Sequence, residues 1–286
     1  MWYHLPMEQI NIGLELLKTL LLAVVEGITE WLPVSSTAHL LLVDKLVQLH
    51  GSSAFKSLFL VFIQLGAILA VVIYYFKKLV PWQNGREGFK WRPERFGLWL
   101  KIVVASVPAA VIGIAFDDFF EAYFYNQYTI GIMLIVFGLL FLWVERSSRK
   151  LSAAGRYKTV EELTYKAAFI IGCWQVVAAA FPGTSRSGAT IVGALLIGVS
   201  RAAAAEFTFY LAIPAMAGAS LLKLLRFKGA FTPAELLILA VGFLLALAVS
   251  LPVIHYFISY IKRHDFKPFA YYRLILGILV LCLSFL

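Results

Sequence analysis

Charge is what this sequence has least of. Only 14% of its 286 residues are Asp, Glu, Lys or Arg, against about 25% in soluble globular domains, and the shortfall excludes a surface that faces water throughout. Cysteine is scarce as well. Cys173 and Cys282 both sit in apolar stretches without metal-ligand spacing, and they say little about redox compartment. The start, Met1–Pro6, lacks a basic segment followed by a clean apolar stretch, so no cleaved signal peptide is expected. No glycine-rich loop carries the Lys-Ser/Thr pair of a P-loop, so nucleotide binding is not indicated.

What the chain has instead is apolar sequence in long runs. Hydrophobic residues make up 61% of it, and Leu58–Phe76, Ile102–Phe116, Ile130–Val144 and Leu236–Ile254 are free of charge. A spanning helix needs roughly 20 mostly apolar residues, and a soluble helical core cannot absorb several runs of this length. The chain therefore reads as a polytopic membrane protein with the lipid bilayer as its surroundings. A net charge of +9 would suggest nucleic acid on a soluble protein. Here it reads as basic cytoplasmic loops, and no nucleic-acid partner is expected.

An internal repeat is visible. Leu20–His39 aligns with Phe169–Gly188 when Pro33 is set on Pro182, which sets Glu26 on Gln175, Ser35 on Thr184 and Ser36 on Ser185. Val104–Gly113 resembles Ala248–Phe257 in the same way. Pro33 breaks the segment at about 10–49, and Pro182-Gly183 breaks that at about 164–199. Broken backbone at membrane depth survives only when buried in protein or lining a wet cavity, so each segment reads as a re-entrant hairpin of two short helices. Full spans are expected near Phe55–Phe76, Leu98–Phe116, Tyr128–Val144, Phe207–Leu225, Ala234–Ile258 and Phe269–Leu286.

The expected fold is an all-α membrane protein built as an inverted-topology repeat. Residues 1–148 and 149–286 each contribute one re-entrant hairpin and three transmembrane helices to one integrated membrane domain. An odd number of spans per half turns the second half upside down, and such repeats place a site at their interface near mid-membrane. Lys77, Lys78, Arg86, Lys90, Arg92, Arg95, Lys101, Arg146, Arg149, Lys150, Arg156, Lys158, Lys166, Lys262, Arg263 and Lys267 fall on one side, and Asp117, Asp118 and Glu121 on the other, with only a few basics there such as Lys56 and Lys228. The basic side reads as cytoplasmic. Both termini and the mouth of the first hairpin then face the periplasm or cell exterior.

Ionisable groups inside a membrane are costly and mark functional sites. Glu26 and Glu30, four apart, share a helix face. Such a pair can hold a hard cation through oxygen ligands, or one member can act as a general base with a raised pKa. Beyond Pro33 come Ser35, Ser36 and Thr37. Hydroxyls after a break serve as helix caps; with His39 three residues past Ser36 they also allow a nucleophile and base. The second break, Pro182 to Thr190, reads as an anion site. Glycines let backbone N–H groups turn inward, the following helix offers its positive end, hydroxyls donate to phosphate oxygens, and Arg186 supplies a planar fork. Carboxylates, hydroxyls and a histidine on one tip, with an arginine and an anion cradle on the other, suit phosphoryl transfer.

These residues resemble the undecaprenyl-diphosphate phosphatase family, the bacitracin-resistance proteins. The resemblance rests on EGITEWLPVSSTAH (Glu26–His39) and PGTSRSGAT (Pro182–Thr190), with FIQLG (Phe62–Gly66) and GVSRAAAAEFTF (Gly198–Phe209) extending it over nearly the whole chain. It implies a multi-pass enzyme of the bacterial inner membrane, its site open to the periplasm. The reaction implied is hydrolysis of undecaprenyl pyrophosphate to undecaprenyl phosphate and inorganic phosphate, which recycles a polyprenyl lipid carrier for cell-wall synthesis. A divalent cation, Mg²⁺ or Ca²⁺, is implied with Glu26 and Glu30 as its ligands. Glu30, Ser36, His39 and Arg186 take the catalytic positions. Ser35, Gly183, Thr184, Ser185, Ser187, Thr190 and Gln64 take the substrate-binding ones. Ser36 is the expected nucleophile, with His39 attack and metal-bound water as alternatives. A homodimer is left open. A polyprenyl-phosphate flippase is the alternative function, motivated by the inverted repeat. The type 2 phosphatidic acid phosphatases are a poorer match, because their Pro-Ser-Gly-His stretch and downstream histidine are missing here.

Overall fold

A computed structural model describes residues 11–85, 88–152, 156–227 and 229–285, with the side chains of 83–89 and 148–155 left aside. The expectation about a leader at Met1–Pro6, and the basic residues Arg86 and Lys228, lie outside the described residues, as do the side chains of Arg149 and Lys150. The chain forms helices α1 (Ile12–Thr29), α2 (Ser36–Val47), α3 (Ser53–Tyr74) and α4 (Phe76–Leu79). A two-stranded hairpin, β1 (Trp82–Gly85) and β2 (Gly88–Trp91), follows. Then come α5 (Pro93–Phe124), α6 (Gln127–Ser152), α7 (Tyr165–Ala180), α8 (Arg186–Leu196), α9 (Arg201–Arg226), α10 (Pro233–Ile261) and α11 (Lys267–Ser284).

Six of these helices, α3, α5, α6, α9, α10 and α11, are long and apolar enough to cross a membrane. Each covers most of one of the spans expected from the sequence, with α3 and α11 ending at Tyr74 and Ser284, short of the expected Phe76 and Leu286. Their outward faces carry large apolar side chains such as Ile114, Leu244, Ile275 and Leu279, all more than half or nearly half exposed, which suits a lipid surrounding. The protein is an all-α membrane protein. The antiparallel β1–β2 hairpin pairs Trp82 with Trp91 in the loop between α4 and α5 and was not expected; it lies outside the spans.

Local chemistry fixes where the helices start. Asn11 caps α1, Ser52 caps α3, Thr164 caps α7 and Ser200 caps α9, each with its side-chain oxygen accepting from a backbone N–H of the first turn. Thr232 and Glu235 form a reciprocal capping box on α10. Proline opens α5, α10 and α11, where its missing N–H costs nothing.

The two broken segments fold as helical pairs, α1 with α2 and α7 with α8, linked through 30–35 and 181–185. α1 packs on α10 and α7 on α5, while α3 packs on α9 and α6 on α11. The α5–α7 approach depends on Gly172: a Cβ there would sit 2.1 Å from the Ala105 carbonyl oxygen. Small residues of this kind let membrane helices meet backbone to backbone. Buried polar contacts pin the ends. Glu145, fully buried, accepts from Arg201 and from the Phe266 N–H. Glu15, also buried, accepts from Lys18 and from the His50 N–H, closing the mouth of the first pair.

The register of the two breaks differs by one residue from the sequence alignment. Ser35 and Ser185 are the structural counterparts. Both have a positive φ, 72° and 69°, and each caps the following helix through its hydroxyl. The first link, 30–34, is one residue longer than the second, 181–184, before its capping serine. Aligning the prolines therefore misplaced Ser36 opposite Ser185.

Candidate functional site

The tips of the two helical pairs meet inside the protein, and hydrogen bonds join them directly. α1 ends at Thr29, and Glu30 continues its backbone with an N–H bond to the Glu26 carbonyl at 3.0 Å. Trp31, fully buried, sets its ring edge-on to Phe209 of α9 at 5.1 Å and wedges this tip against that span. Ser36 begins α2, and its hydroxyl donates to Glu30 Oε2 at 2.6 Å. The other oxygen, Glu30 Oε1, accepts from Arg186 Nη2 at 3.0 Å. One carboxylate thus bridges the serine of the first tip and the arginine of the second. Arg186 is itself anchored, its Nη1 donating to the Thr208 carbonyl at 2.8 Å.

Glu26 lies one turn before Glu30 on the same face and is fully buried. Neither of its carboxylate oxygens has a hydrogen-bond partner among the described residues. A buried carboxylate with no partner is strongly disfavoured, so this group needs a proton or a cation. The donor set fits a hard cation to that extent. No cluster of three or more His, Cys, Asp or Glu stands here among the described residues, so oxygen ligands beyond Glu26 and Glu30 would have to come from water or from a bound phosphate.

His39 makes no hydrogen bond to Ser36 among the described residues. Its Nδ1 bonds the Ser35 carbonyl at 2.7 Å, and its Nε2 bonds the Tyr272 hydroxyl at 2.6 Å, with the two rings stacked. A carbonyl only accepts, so Nδ1 carries the proton and the Nε2 lone pair faces Tyr272. The acceptor that touches the Ser36 hydroxyl is Glu30.

On the second tip, Gly183 takes a φ of 89°, and a Cβ there would come within 2.5 Å of the Ile130 carbonyl oxygen. Glycine is needed for both reasons. The Ser185 hydroxyl accepts from the Gly188 N–H at 3.2 Å and lies 3.0 Å from the Ser187 hydroxyl. Ser187 in turn donates to the Leu32 carbonyl of the first tip at 3.3 Å. Thr184 is fully buried with its hydroxyl unpartnered among the described residues. The Thr190 hydroxyl is occupied: it donates to the Arg186 carbonyl at 2.9 Å and pairs with Thr208 at 2.8 Å. Thr190 thus holds the loop. Gln64 sits half-buried on α3 and takes no part in the bonds that join the tips.

The sequence reading passed over Arg273. This fully buried residue of α11 donates from Nη1 to the Pro33 carbonyl at 3.1 Å and from Nη2 to the Gly183 and Thr184 carbonyls, both at 2.9 Å. It clamps the two breaks together. The signal was present, since an arginine inside the apolar run YYRLILGILVL (Tyr271–Leu281) is the costly intramembrane charge that flagged the other candidates.

Known proteins match this chain along most of its length. The sequence profile of the family described as bacitracin resistance protein BacA matches residues 19–279, which include every residue of the two tips and Arg273. Undecaprenyl-diphosphatase 1 of Clostridium acetobutylicum is 53% identical over 269 residues, covering 94% of this chain and 97% of that protein. The undecaprenyl-diphosphatase of Enterococcus faecalis is 53% identical over 272 residues, 95% of this chain and 98% of the relative. That of Desulfitobacterium hafniense is 53% identical over 267 residues, 93% and 95% of the two chains.

Proposed function

The chain belongs to the bacitracin resistance protein BacA family, and we propose that the meeting point of its two hairpin tips is where this membrane phosphatase cleaves undecaprenyl diphosphate to undecaprenyl phosphate and inorganic phosphate. The hydrolase recycles the lipid carrier of cell-wall synthesis, and no observation favours the transporter alternative. The observation that carries the assignment of the site is the Glu30 carboxylate, held between the Ser36 hydroxyl at 2.6 Å and the Arg186 guanidinium at 3.0 Å.

In this reading the terminal phosphoryl group lies between Ser36 and Arg186. Ser36 Oγ attacks phosphorus while Glu30 Oε2 takes its proton, and the bond from phosphorus to the bridging oxygen breaks, releasing undecaprenyl phosphate. Glu30 passes that proton to the departing oxygen, water then attacks the phosphoserine as Glu30 takes a proton from it, and Glu30 returns this proton to Ser36 Oγ as the serine–phosphorus bond breaks and inorganic phosphate is released. Covalent attack divides one hard hydrolysis into two easier steps. The Arg186 fork and the Arg186 and Ser187 N–H groups at the start of α8, which lack intrahelical acceptors, stabilise the oxygens as charge shifts onto them. His39 orients the start of α2 through Ser35. Glu26 and Glu30 would hold a divalent cation, Mg²⁺ or Ca²⁺, which when bound would neutralise diphosphate charge.

The two capping serines at positive φ, Ser35 and Ser185, support an inverted repeat with halves 1–148 and 149–286. Loop charge supports a bacterial inner membrane with the basic end in the cytoplasm and the site open to the periplasm. A homodimer stays an expectation, tested by the mass of the detergent-solubilised particle. The test of the activity is phosphate release from undecaprenyl diphosphate by the purified protein in detergent, where no bilayer separates two compartments. Steady release that stops in Glu30→Gln and Arg186→Ala is expected. Release that survives both substitutions would move the chemistry away from the tips.

A further inference from the structure

A second constellation lies away from the tips. A cavity of about 780 Å³ opens between the ends of α3 and α10, the short α4 and the start of α9. That volume is in the range of small-molecule sites, and none of Glu26, Glu30, Ser36 or Arg186 lines it. Its charged lining is Lys77, Lys78, Lys262 and Glu206. Lys78 donates to Glu206 at 2.6 Å, and the Tyr210 hydroxyl donates to the same oxygen. Lys77 and Lys262 have no ion-pair partner among the described residues. Three ammoniums against one carboxylate leave the lining with two positive charges in excess, which matches the charge of about −1.5 to −2 on a phosphate monoester at neutral pH.

Tyr75 lines the cavity, with its ring fixed edge-on between Tyr74 at 4.8 Å and Tyr210 at 5.0 Å. Ala202, in the first turn of α9, brings the positive end of that helix to the same wall. Ile73 and Phe76 form the lip and are 48% and 50% exposed, an apolar rim of the kind a hydrocarbon chain would lie against.

We propose that this cavity is a second binding site, for a phosphate monoester, with Lys77 and Lys262 donating to its oxygens and Lys78 held in place by Glu206. The group reaches it on a lipid headgroup or as free phosphate; the apolar lip favours the lipid. The test reads the lysines themselves, because the hairpin tips contain none. Purified full-length protein in detergent is treated with a water-soluble amine-acylating reagent, and the rate at each lysine is followed by mass spectrometry. Dioleoyl phosphatidic acid, dioleoyl phosphatidylcholine and inorganic phosphate are the probes. Phosphatidic acid at about ten times its half-protecting concentration should slow Lys77 and Lys262 roughly tenfold, with Lys56 and Lys223 unaffected and phosphatidylcholine inert. Equal protection by inorganic phosphate makes the free ion sufficient, and protection by phosphatidic acid alone assigns the lipid. Protection by phosphatidylcholine to the same degree, slowing that spreads to Lys56 and Lys223, or no slowing with either phosphate overturns the site.

Discussion

Replacing Arg186 by lysine keeps the charge and removes the fork, and the geometry says what the fork holds. Nη1 reaches the Thr208 carbonyl at 2.8 Å and Nη2 reaches Glu30 at 3.0 Å. These acceptors lie on different elements, so the single ammonium of lysine, on a shorter reach, satisfies one of them. A hydrogen bond from a charged group contributes about 1.5–3 kcal/mol. At 1.36 kcal/mol per tenfold, loss of one such bond slows turnover by roughly 10- to 150-fold. Loss of a donor aimed at transition-state oxygens costs about 10²–10³ in kcat on its own. We expect Arg186→Lys to lower kcat at least about 100-fold, since a side chain tied to only one anchor no longer aims its donors at the transition-state oxygens. The assay is phosphate release from undecaprenyl diphosphate in detergent, with gel filtration and thermal unfolding to show that the variant is folded. A folded Arg186→Lys protein whose kcat stays within about threefold of the parent would refute the bridging role given to the guanidinium.

The remaining predictions concern the nucleophile, the cation, the clamp and the orientation. Rapid acid quenching with substrate labelled on the terminal phosphate should leave acid-stable label on Ser36; acid-labile label that vanishes in His39→Ala would make His39 the nucleophile, and no label would leave direct water attack. Excess chelator should abolish turnover and added Mg²⁺ or Ca²⁺ should restore it, whereas full activity in chelator would make the Glu26 carboxylate a proton carrier. Arg273→Met leaves the Pro33, Gly183 and Thr184 carbonyls without their donor. At about 1–3 kcal/mol per orphaned group, partly offset by removing a buried cation, the loss is on the order of several kcal/mol; an unchanged thermal midpoint would show that the clamp is dispensable. With Cys173 and Cys282 changed to serine, a cysteine at the exposed Asp118 should react with a membrane-impermeant thiol reagent on intact cells, and labelling only after lysis would invert the orientation.

Legibility in the sequence followed the range of the interaction. The six spans and the two breaks were readable because their causes are local. A run of apolar residues, a Pro33 or a Pro182-Gly183, and a capping hydroxyl act within a few positions of themselves. The short β1–β2 hairpin was not readable, since nothing in Trp82–Trp91 separates a strand pair from a charged loop. The pairing of Glu30 with Ser36 was within reach, at six residues' separation. The partner of Arg186 was foreseen only as an unspecified anion, and that of His39, Tyr272 of α11, was not foreseen at all. One-residue register at the breaks was lost because proline is a poor marker of where the next helix begins; the positive-φ serine is the better one.

Arg273 shows why such a site needs a distant residue at all. Each break that brings a hydroxyl or an arginine to mid-membrane also strips backbone carbonyls of their helical partners, and lipid offers no water to replace them. The carbonyls of Pro33, Gly183 and Thr184 are of this kind, and a single planar cation from α11 satisfies all three. Being a cation, it also sets positive potential behind both tips, which suits the diphosphate site proposed there. A neutral donor could have satisfied the carbonyls. A lysine could have supplied the charge, but only a guanidinium presents N–H groups in several fixed directions at once. The same physics that makes the broken helices possible in the membrane therefore selects the residue type that suits them to a phosphate.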